Sequence, residues 1–241
     1  IIDRTYRYDS MTIGRCLVFR KEYLPREFVS CVLDFYEMKT RLKNVEGMEA
    51  EYAKGKNMLN SCFGMCVTDP CRDIVEYSGN RWNVGLADLA ECLKRYDENR
   101  NRFLFYWWGI WIPAYGRRNL WTGIESIGKD YIYSDTDSLK ILHADRHRDY
   151  FEEYNRTIVD KLDRCLDFLV IDRERTRPEN RDGKRCQMGI WDSEGTYSKF
   201  KTLGAKRYMF VKDGKLNITI AGVGKKAGKE YLMDRYGTTD E

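Results

Sequence analysis

Apolar side chains recur every three or four residues in several long stretches of the chain, a spacing typical of helices with one buried face. One such stretch opens at Pro25 and predicts a helix to about Lys43, where "NVEG" interrupts the pattern. Residues 47–63 predict a second helix, so the two helices form an antiparallel hairpin joined by a short turn. The same spacing predicts further helices at 86–100, 109–127 and 150–170.

Runs of β-branched and aromatic residues bounded by turn residues predict strands elsewhere. Residues 6–22 predict one or two strands. "DIVEYSGNRWNV" predicts a small hairpin that turns at Ser78-Gly79-Asn80, and "KRYMFVKDGKLNITIAG" predicts another with Asp213-Gly214 at its turn. A further strand, turn and strand surround Asp135. Helices and strands are mixed without a regular strand–helix–strand order, so the predicted fold class is α+β.

The composition is that of a globular protein with room for one large domain or two lobes. Of the 241 residues, 42% are apolar and 33% are charged, which excludes a disordered chain. No secretory signal is visible, and the longest apolar run, from Phe103 to Tyr115, is too short to cross a bilayer. We therefore expect no membrane partner.

Eight cysteines are present without the short, regular spacings of a disulfide framework, so a reducing compartment is expected. Cys62, Cys66 and Cys71 lie close together, but no histidine or fourth cysteine stands at zinc-finger spacing, which favours buried free thiols. A second nominal ligand set consists of His143, Asp145 and His147. Zinc is the less favoured interpretation there, because the chain contains no other histidine.

Positive charge is concentrated near the end of the sequence. The formal net charge is only +4, but the stretch from Thr196 to Lys229 holds nine lysines or arginines and a single acid, Asp213. Such a tract favours a polyanionic partner such as nucleic acid. A solvated, lysine-rich surface is the alternative, and charge alone does not decide between them.

Two carboxylates two residues apart mark the predicted turn in "DYIYSDTDSLKIL". Aspartate is an ordinary turn residue, so a plain hairpin tip is one interpretation. Residues two apart in extended backbone face the same side, so Asp135 and Asp137 could instead converge on a cation. Unpaired carboxylates raise each other's pKa unless a cation neutralises them, and hard oxygen ligands suit Mg²⁺.

Four residues of the second predicted helix share one face, because Lys56, Asn60, Phe63 and Gly64 follow at intervals of four, three and one. That face offers a cation, an amide, an aromatic ring and a place where backbone can approach, which together could hold a nucleoside triphosphate. The alternative is a lysine that covers a partly buried asparagine and phenylalanine.

Three ordered motifs resemble those of the family B DNA polymerases. "KNMLNSCFG" matches the fingers motif K-x-x-x-N-S-x-Y-G with Phe63 in place of tyrosine, "YSDTDS" matches the palm motif Y-x-D-T-D-S, and "KRY" matches the K-x-Y motif. The resemblance is strongest to the protein-primed phage-type branch, in which the fingers are a short helical pair. That branch also has a T-x-x-G/A-R motif, to which "PAYGR" is similar except that Pro113 replaces the threonine.

The resemblance implies a template-directed DNA polymerase that transfers a nucleotide to a primer 3′ end with two Mg²⁺ (or Mn²⁺) ions. The implied roles are as follows: catalysis and metal binding by Asp135 and Asp137; nucleotide binding by Lys39, Lys56, Asn60, Phe63 and Gly64; DNA binding by Arg117, Ser138, Lys206 and Tyr208. The implied partners are primer-template DNA, a deoxynucleoside triphosphate and a terminal protein primer. The expected location is the cytoplasm, that of the host cell if a phage encodes the chain.

The resemblance also divides the chain into segments of a polymerase: a palm segment at 1–24, a helical-hairpin fingers at 25–66, an insertion like the strand-displacement insertion at 67–100, an antiparallel palm sheet with the D-T-D hairpin at 101–210, and the start of a β-rich thumb at 211–241. The family's upstream D-x-x-S-L-Y-P motif and its exonuclease acids are not found in the sequence. We therefore expect a C-terminal fragment that needs the rest of the polymerase for activity. The alternative is a non-catalytic DNA-binding remnant, or a split-polymerase subunit that a separate N-terminal chain completes.

Overall fold

The fold is α+β, and the computed structural model describes residues 7–236 except for the side chain of Lys225. The helices are α1 (Arg26–Leu42), α2 (Glu49–Gly64), α3 (Leu89–Glu98), α4 (Tyr106–Ile127), α5 (Arg148–Leu169) and α6 (Lys225–Tyr236). Short 3-10 turns occur at Met65–Val67, Gly128–Asp130, Ala144–His147 and Arg173–Thr176. None of the helices within residues 7–236 combines the length and apolar character that a membrane crossing requires.

The strands form small antiparallel sheets. One hairpin pairs β1 (Ile74–Ser78) with β2 (Arg81–Gly85), a second pairs β3 (Tyr131–Asp135) with β4 (Ser138–Ile141), and a three-stranded sheet has the order β5 (Lys199–Thr202), β6 (Arg207–Lys212), β7 (Lys215–Ile220). The Gly79-Asn80 and Asp213-Gly214 turns have φ between 51° and 69°. Two successive positive φ values are what a tight two-residue hairpin loop requires, so both predicted turns are confirmed.

The chain forms two compact units, each built from separate stretches of sequence. The sheet unit contains residues 116–157 and 190–236, and the helical unit contains residues 7–115 and 158–189. Helices α4 and α5 each contribute residues to both units. The predicted helical hairpin belongs entirely to the helical unit, and the hairpin that carries Asp135 belongs entirely to the sheet unit.

Close packing joins α1 to α2 in the helical unit, as the predicted helical hairpin requires. Gly55 is buried, and a β-carbon at that position would meet the side chain of Met38 at 3.0 Å. The core of this unit centres on Leu33, Leu166 and Ile171. Hydrogen bonds also join the start of α1 to the end of α5. The side chain of Arg26 donates to the backbone oxygens of Leu169 and Val170.

The sheet unit is held by its apolar strand faces. Leu216 and Ile218 of β7 are buried, and the packing of α6 brings Gly228 so close to Ile218 that a β-carbon there would lie 2.6 Å from its Cδ1. Aromatic rings from β3, β5 and β6 meet at Tyr133, Phe200 and Tyr208. This cluster attaches the β3–β4 hairpin to the three-stranded sheet.

Two features differ from the sequence-based expectation. The strands predicted at 6–22 are wrong within the described part of that segment, because residues 7–22 form no strand and are almost entirely exposed. β-branched residues form strands only where a neighbouring strand completes the hydrogen bonds, and none of the described strands lies beside this segment. Strand β5 was not predicted, since "KFKT" is short and contributes a single large apolar side chain, Phe200.

Residues 1–6 of the predicted first palm segment and 237–241 of the predicted thumb lie outside the described residues.

Candidate functional site

The tip of the β3–β4 hairpin carries both predicted metal-binding carboxylates. Asp135 is the last residue of β3 and pairs with Ser138, which leaves Thr136 and Asp137 as the loop. The backbone N–H of Asp137 donates to the carbonyl of Asp135 at 2.7 Å, and Thr136 between them has φ = 56°. This is the rarer and more strained form of the γ-turn, and it is held here by a β-branched residue.

A lysine from a distant part of the sequence lies on Asp135. Lys206 donates from Nζ to both carboxylate oxygens of Asp135, at 2.8 Å and 3.0 Å. These hydrogen bonds hold the pKa of Asp135 below its usual range, and the same bonds raise the pKa of Lys206. Asp135 therefore remains ionised at neutral pH and already has a cationic partner.

The backbone of Lys206 is fixed to the same hairpin. Its N–H donates to the hydroxyl oxygen of Tyr133 at 2.9 Å, and its φ is 54°, in the left-handed region that non-glycine residues rarely adopt. The rings of Tyr133 and Tyr208 lie 5.0 Å apart. The "YSDTDS" and "KRY" motifs, which are about seventy residues apart in sequence, therefore lie side by side in the sheet unit.

The two carboxylates of the loop have different surroundings. Asp137 is exposed, and its carboxylate has no bonded partner among residues 7–236. Asp135 ends the strand and Asp137 belongs to the turn, so the expected convergence of the two carboxylates on a cation stays a prediction. Ser138 holds the loop from the other side, since its hydroxyl donates to the carbonyl of Asp135 at 3.2 Å.

The donor chemistry at this tip fits a divalent cation in part. Two carboxylates supply the hard oxygen ligands that Mg²⁺ and Mn²⁺ prefer, and Asp137 is free to bind. Within residues 7–236, however, no group of three or more histidine, cysteine or acidic side chains is arranged to hold a metal ion. A cation at Asp135 would also have to replace the ammonium group of Lys206.

The predicted nucleotide-binding residues lie on one exposed face of α2 in the helical unit. Lys56, Asn60, Phe63 and Gly64 are all exposed, whereas Gly55 and Cys62 on other faces of the helix are buried. Gly64 has open space around its α-carbon, as no atom lies within 4 Å of an added β-carbon.

The other predicted lysine of this unit, Lys39, is on α1. A β-carbon at Gly55, the residue before Lys56, would lie 3.4 Å from the backbone nitrogen of Lys39. The two lysines therefore belong to adjacent levels of two packed helices. Arg117 is exposed on the part of α4 that belongs to the sheet unit, where it has no bonded partner within the described chain.

The three nominal zinc ligands do not form one site, because both histidines are bonded to Asp130 and Asp145 is not among them. His143 Nδ1 and His147 Nε2 donate to the two carboxylate oxygens of Asp130 at 3.0 Å and 2.9 Å, while Asp145 is bonded to Arg148. Cys62 and Cys66 are buried free thiols, as expected, and Cys71 is half-buried and free. Burial, followed by the neighbouring Cys31 thiol, raises the pKa of Cys62 to about 11, so this thiol stays protonated at neutral pH.

Two site features were not predicted from the sequence. Tyr133 was noted as part of a motif, but its hydroxyl contact with the backbone of Lys206 was not foreseen. The Lys206–Asp135 ion pair was also missed, although the presence of "KRY" in a basic tract after an acidic turn is a signal that could have indicated it.

No protein-family model, curated protein or solved structure among those compared matches this chain. A functional proposal therefore rests on the sequence motifs and on the geometry within each of the two units.

Proposed function

We propose that this chain is the fingers, palm and early thumb part of a template-directed DNA polymerase that resembles family B. The observation that carries the proposal is the cluster of Tyr133, Asp135 and Lys206 beside Tyr208, which joins two of the three polymerase-like motifs. Positive φ values at Thr136 and at Lys206 add support, since strained backbone concentrates at functional sites.

In the proposed reaction the chain positions charge rather than forming a covalent intermediate. Asp137 and Asp135 would hold the Mg²⁺ or Mn²⁺ ions, which when bound activate the primer hydroxyl and neutralise the triphosphate. Lys56 binds the α-phosphate and can give a proton to the departing pyrophosphate. Asn60 and the ring of Phe63 test the shape of the new base pair, with Lys39 as a second phosphate-binding cation.

Lys206 has two roles in this proposal. In the absence of a cation it neutralises Asp135, so that only one of the two neighbouring carboxylates, Asp137, lacks a bonded partner within residues 7–236. With a cation bound at Asp135, the ammonium group of Lys206 would be free to bind a primer phosphate next to Tyr208. Because the exchange replaces one positive charge with another, Asp135 remains ionised throughout.

Primer extension with a restored upstream segment tests the proposal. We expect the chain alone to extend a primer little or not at all, and to extend it when joined to an upstream polymerase fragment that carries a D-x-x-S-L-Y-P motif. Asp137→Asn should lower the rate by at least about a hundredfold, as the loss of a metal-binding carboxylate removes charge stabilisation of the transition state.

The matched control is Asp145→Asn, which removes an exposed acid that is bonded to Arg148 within the described residues. It should leave extension unchanged. Failure of the joined protein to extend any primer, or equal rates for Asp137→Asn and the unsubstituted protein, would overturn the polymerase proposal.

A second candidate is a chain that binds DNA without catalysis, and the Lys206–Asp135 ion pair favours it, because one of the two carboxylates is already neutralised. This candidate predicts that DNA binding is undiminished by EDTA and that no upstream fragment restores extension. The extension assay separates the two candidates directly.

A further inference from the structure

An open cavity of about 420 Å³ lies in the helical unit, within the segment from Met65 to Phe103. Its walls come from the chain that leads into β1, from α3 and from the residues that follow α3. Protein sites for small ligands occupy about 300–1,000 Å³, so this space is large enough for a ligand the size of one nucleotide. None of its lining residues belongs to the proposed polymerase site.

The lining of the cavity carries excess positive charge. Arg72, Arg95 and Arg102 line it together with a single acid, Asp69. The carboxylate of Asp69 already accepts a hydrogen bond from the backbone N–H of Cys71 at 2.9 Å. Three guanidinium groups around one depression repel one another, and an anion between them would relieve that repulsion.

The three arginines differ in the number of hydrogen bonds and ion pairs that their guanidinium groups make within the protein. Arg72 has no bonded partner among residues 7–236. Arg95 is 3.6 Å from Glu91, and Arg102 is bonded to the backbone oxygen of Asp97 and lies 3.7 Å from its carboxylate. Arg72 can therefore offer all of its N–H groups to a ligand, and the other two can add charge.

Flat and amide-bearing side chains complete the cavity. Tyr96 and Phe103 line it, and Phe103 is fixed by stacking on Phe28 at a ring separation of 5.9 Å. Asn99 and Asn101 also line it, and the side-chain amide of Asn101 has no bonded partner within the described chain. Aromatic rings and amides next to arginines are the groups that bind a base and a phosphate together.

We propose that this cavity binds a nucleoside phosphate, with the phosphate on Arg72 and the base against Tyr96 or Phe103. The shared chemistry is one phosphate and one base on the same sugar, and two sources can supply it: a free nucleotide, or one nucleotide of a single strand. The proposal goes beyond the polymerase site, because it involves no metal ion and no residue of α2.

The test is calorimetric titration of the full chain with AMP in EDTA, where metal-dependent triphosphate binding is absent. We expect saturable binding that Arg72→Ala weakens by roughly tenfold or more, as charge-assisted hydrogen bonds to phosphate are lost. The matched control is Arg100→Ala, which removes the same charge from an exposed position of the same segment that does not line the cavity. Circular dichroism establishes that each variant is folded.

A second arm titrates a short oligothymidylate, so that a strand is distinguished from a free nucleotide. Binding of either probe that depends on Arg72 and not on Arg100 supports the proposal and identifies the source. Absence of saturable binding of both probes overturns it, as does equal weakening by Arg72→Ala and Arg100→Ala. AMP binding that Arg72→Ala leaves unchanged would place the ligand outside the cavity, so the cavity proposal would be wrong while the polymerase proposal stands.

Discussion

At the scale of single residues, Thr136 and Lys206 stand out, because both hold left-handed backbone within one small cluster. A positive φ costs a β-branched or long side chain about 1–2 kcal/mol. That cost persists only where the surroundings fix the backbone, and here they do so through the hydrogen bond from Lys206 N to Tyr133 and through the Asp135 ion pair. The backbone conformation of the loop is thus fixed by contacts with residues outside the loop.

The first prediction concerns the competition between Lys206 and a cation. Lys206→Ala should tighten Mn²⁺ binding at the hairpin by about threefold, since an exposed ion pair is worth little and its removal frees both oxygens of Asp135. Mn²⁺ titration followed by electron paramagnetic resonance measures the change. Lys215→Ala removes an exposed lysine on β7 and should have no effect. Unchanged or weaker Mn²⁺ binding in Lys206→Ala would contradict the proposed exchange.

The second prediction concerns Asp130, which both histidines of the chain contact. These hydrogen bonds hold the pKa of Asp130 below its usual range, so the folded state binds a proton there less readily than the unfolded state does. The stabilising contribution is complete above about pH 4, the ordinary range of aspartate, and disappears as the pH falls through the lower pKa of the folded state.

Asp130→Asn should therefore lower the Tm at neutral pH, and the two Tm values should converge in strong acid. Thermal melts followed by circular dichroism between pH 2 and pH 7 measure this difference. Asp145→Asn, in the turn that follows His143, should change the Tm little, because its exposed pair with Arg148 is worth little. A difference for Asp130→Asn that persists unchanged at the lowest pH would show that the histidine contacts do not stabilise the ionised form.

At the scale of elements, most of the secondary structure follows from local signals in the sequence. Gly79-Asn80 and Asp213-Gly214 set two hairpins, and Pro25 sets the start of α1. Local signals of this kind do not specify the Lys206–Asp135 pair, which joins residues 71 apart and depends on how two sheets pack, so the charge pattern of a basic tract after an acidic turn is the one indication of it in the sequence. The strand prediction for the exposed segment 7–22 was wrong although its local signal was strong. Its strand-forming residues have no neighbouring strand to pair with.

The C-terminal end of α5 provides a third prediction. Ile171 N–H donates to the Leu166 carbonyl and Val170 N–H to the Asp167 carbonyl, the bond pair of a Schellman motif, with Val170 at φ = 54°. Glycine is favoured at this position, so Val170→Gly should raise the free energy of unfolding by about 1 kcal/mol. Urea denaturation measures the change.

The control for Val170 is the same substitution in a strand. Val75 is exposed in β1, where the backbone is extended, and Val75→Gly should lower stability by about 1 kcal/mol or less. If both substitutions destabilise the protein, the left-handed cap is not a source of strain.

Two glycines of α4 give a fourth prediction, because their surroundings differ. A β-carbon at Gly109 would lie 2.0 Å from Cγ1 of Val67 and 3.5 Å from the backbone of Cys66, whereas Gly116 has no atom within 4 Å. Gly109→Ala should cost about 1–3 kcal/mol through overpacking. Gly116→Ala should stabilise α4 by about 0.5–1 kcal/mol, and urea denaturation of both variants compares them. Equal effects of the two substitutions would contradict the close approach of Val67 to α4.

At the scale of the whole molecule, the basic tract gives the fifth prediction. Lys215, Lys226 and Lys229 lie on β7 and α6, and each can neutralise one phosphate of bound DNA. Replacing all three by glutamine should reduce the slope of log affinity against log salt by about 3. Fluorescence anisotropy with a labelled duplex between 50 and 200 mM salt measures that slope.

The control replaces three exposed lysines outside the tract, Lys21, Lys43 and Lys94. It changes the net charge equally and should leave the slope unchanged. Equal slopes for all three proteins, or an affinity that salt does not alter, would mean that the tract is a solvated surface with no phosphate contacts.

The sheet unit and the helical unit are each assembled from stretches that alternate along the sequence, and α4 and α5 pass from one to the other. No single deletion can excise one of them and leave the second with all of its own residues. A single crossover after Gly189 would pass on the whole helical unit but only residues 116–157 of the described sheet unit. Both units are therefore transferred complete only when residues 7–236 are inherited together.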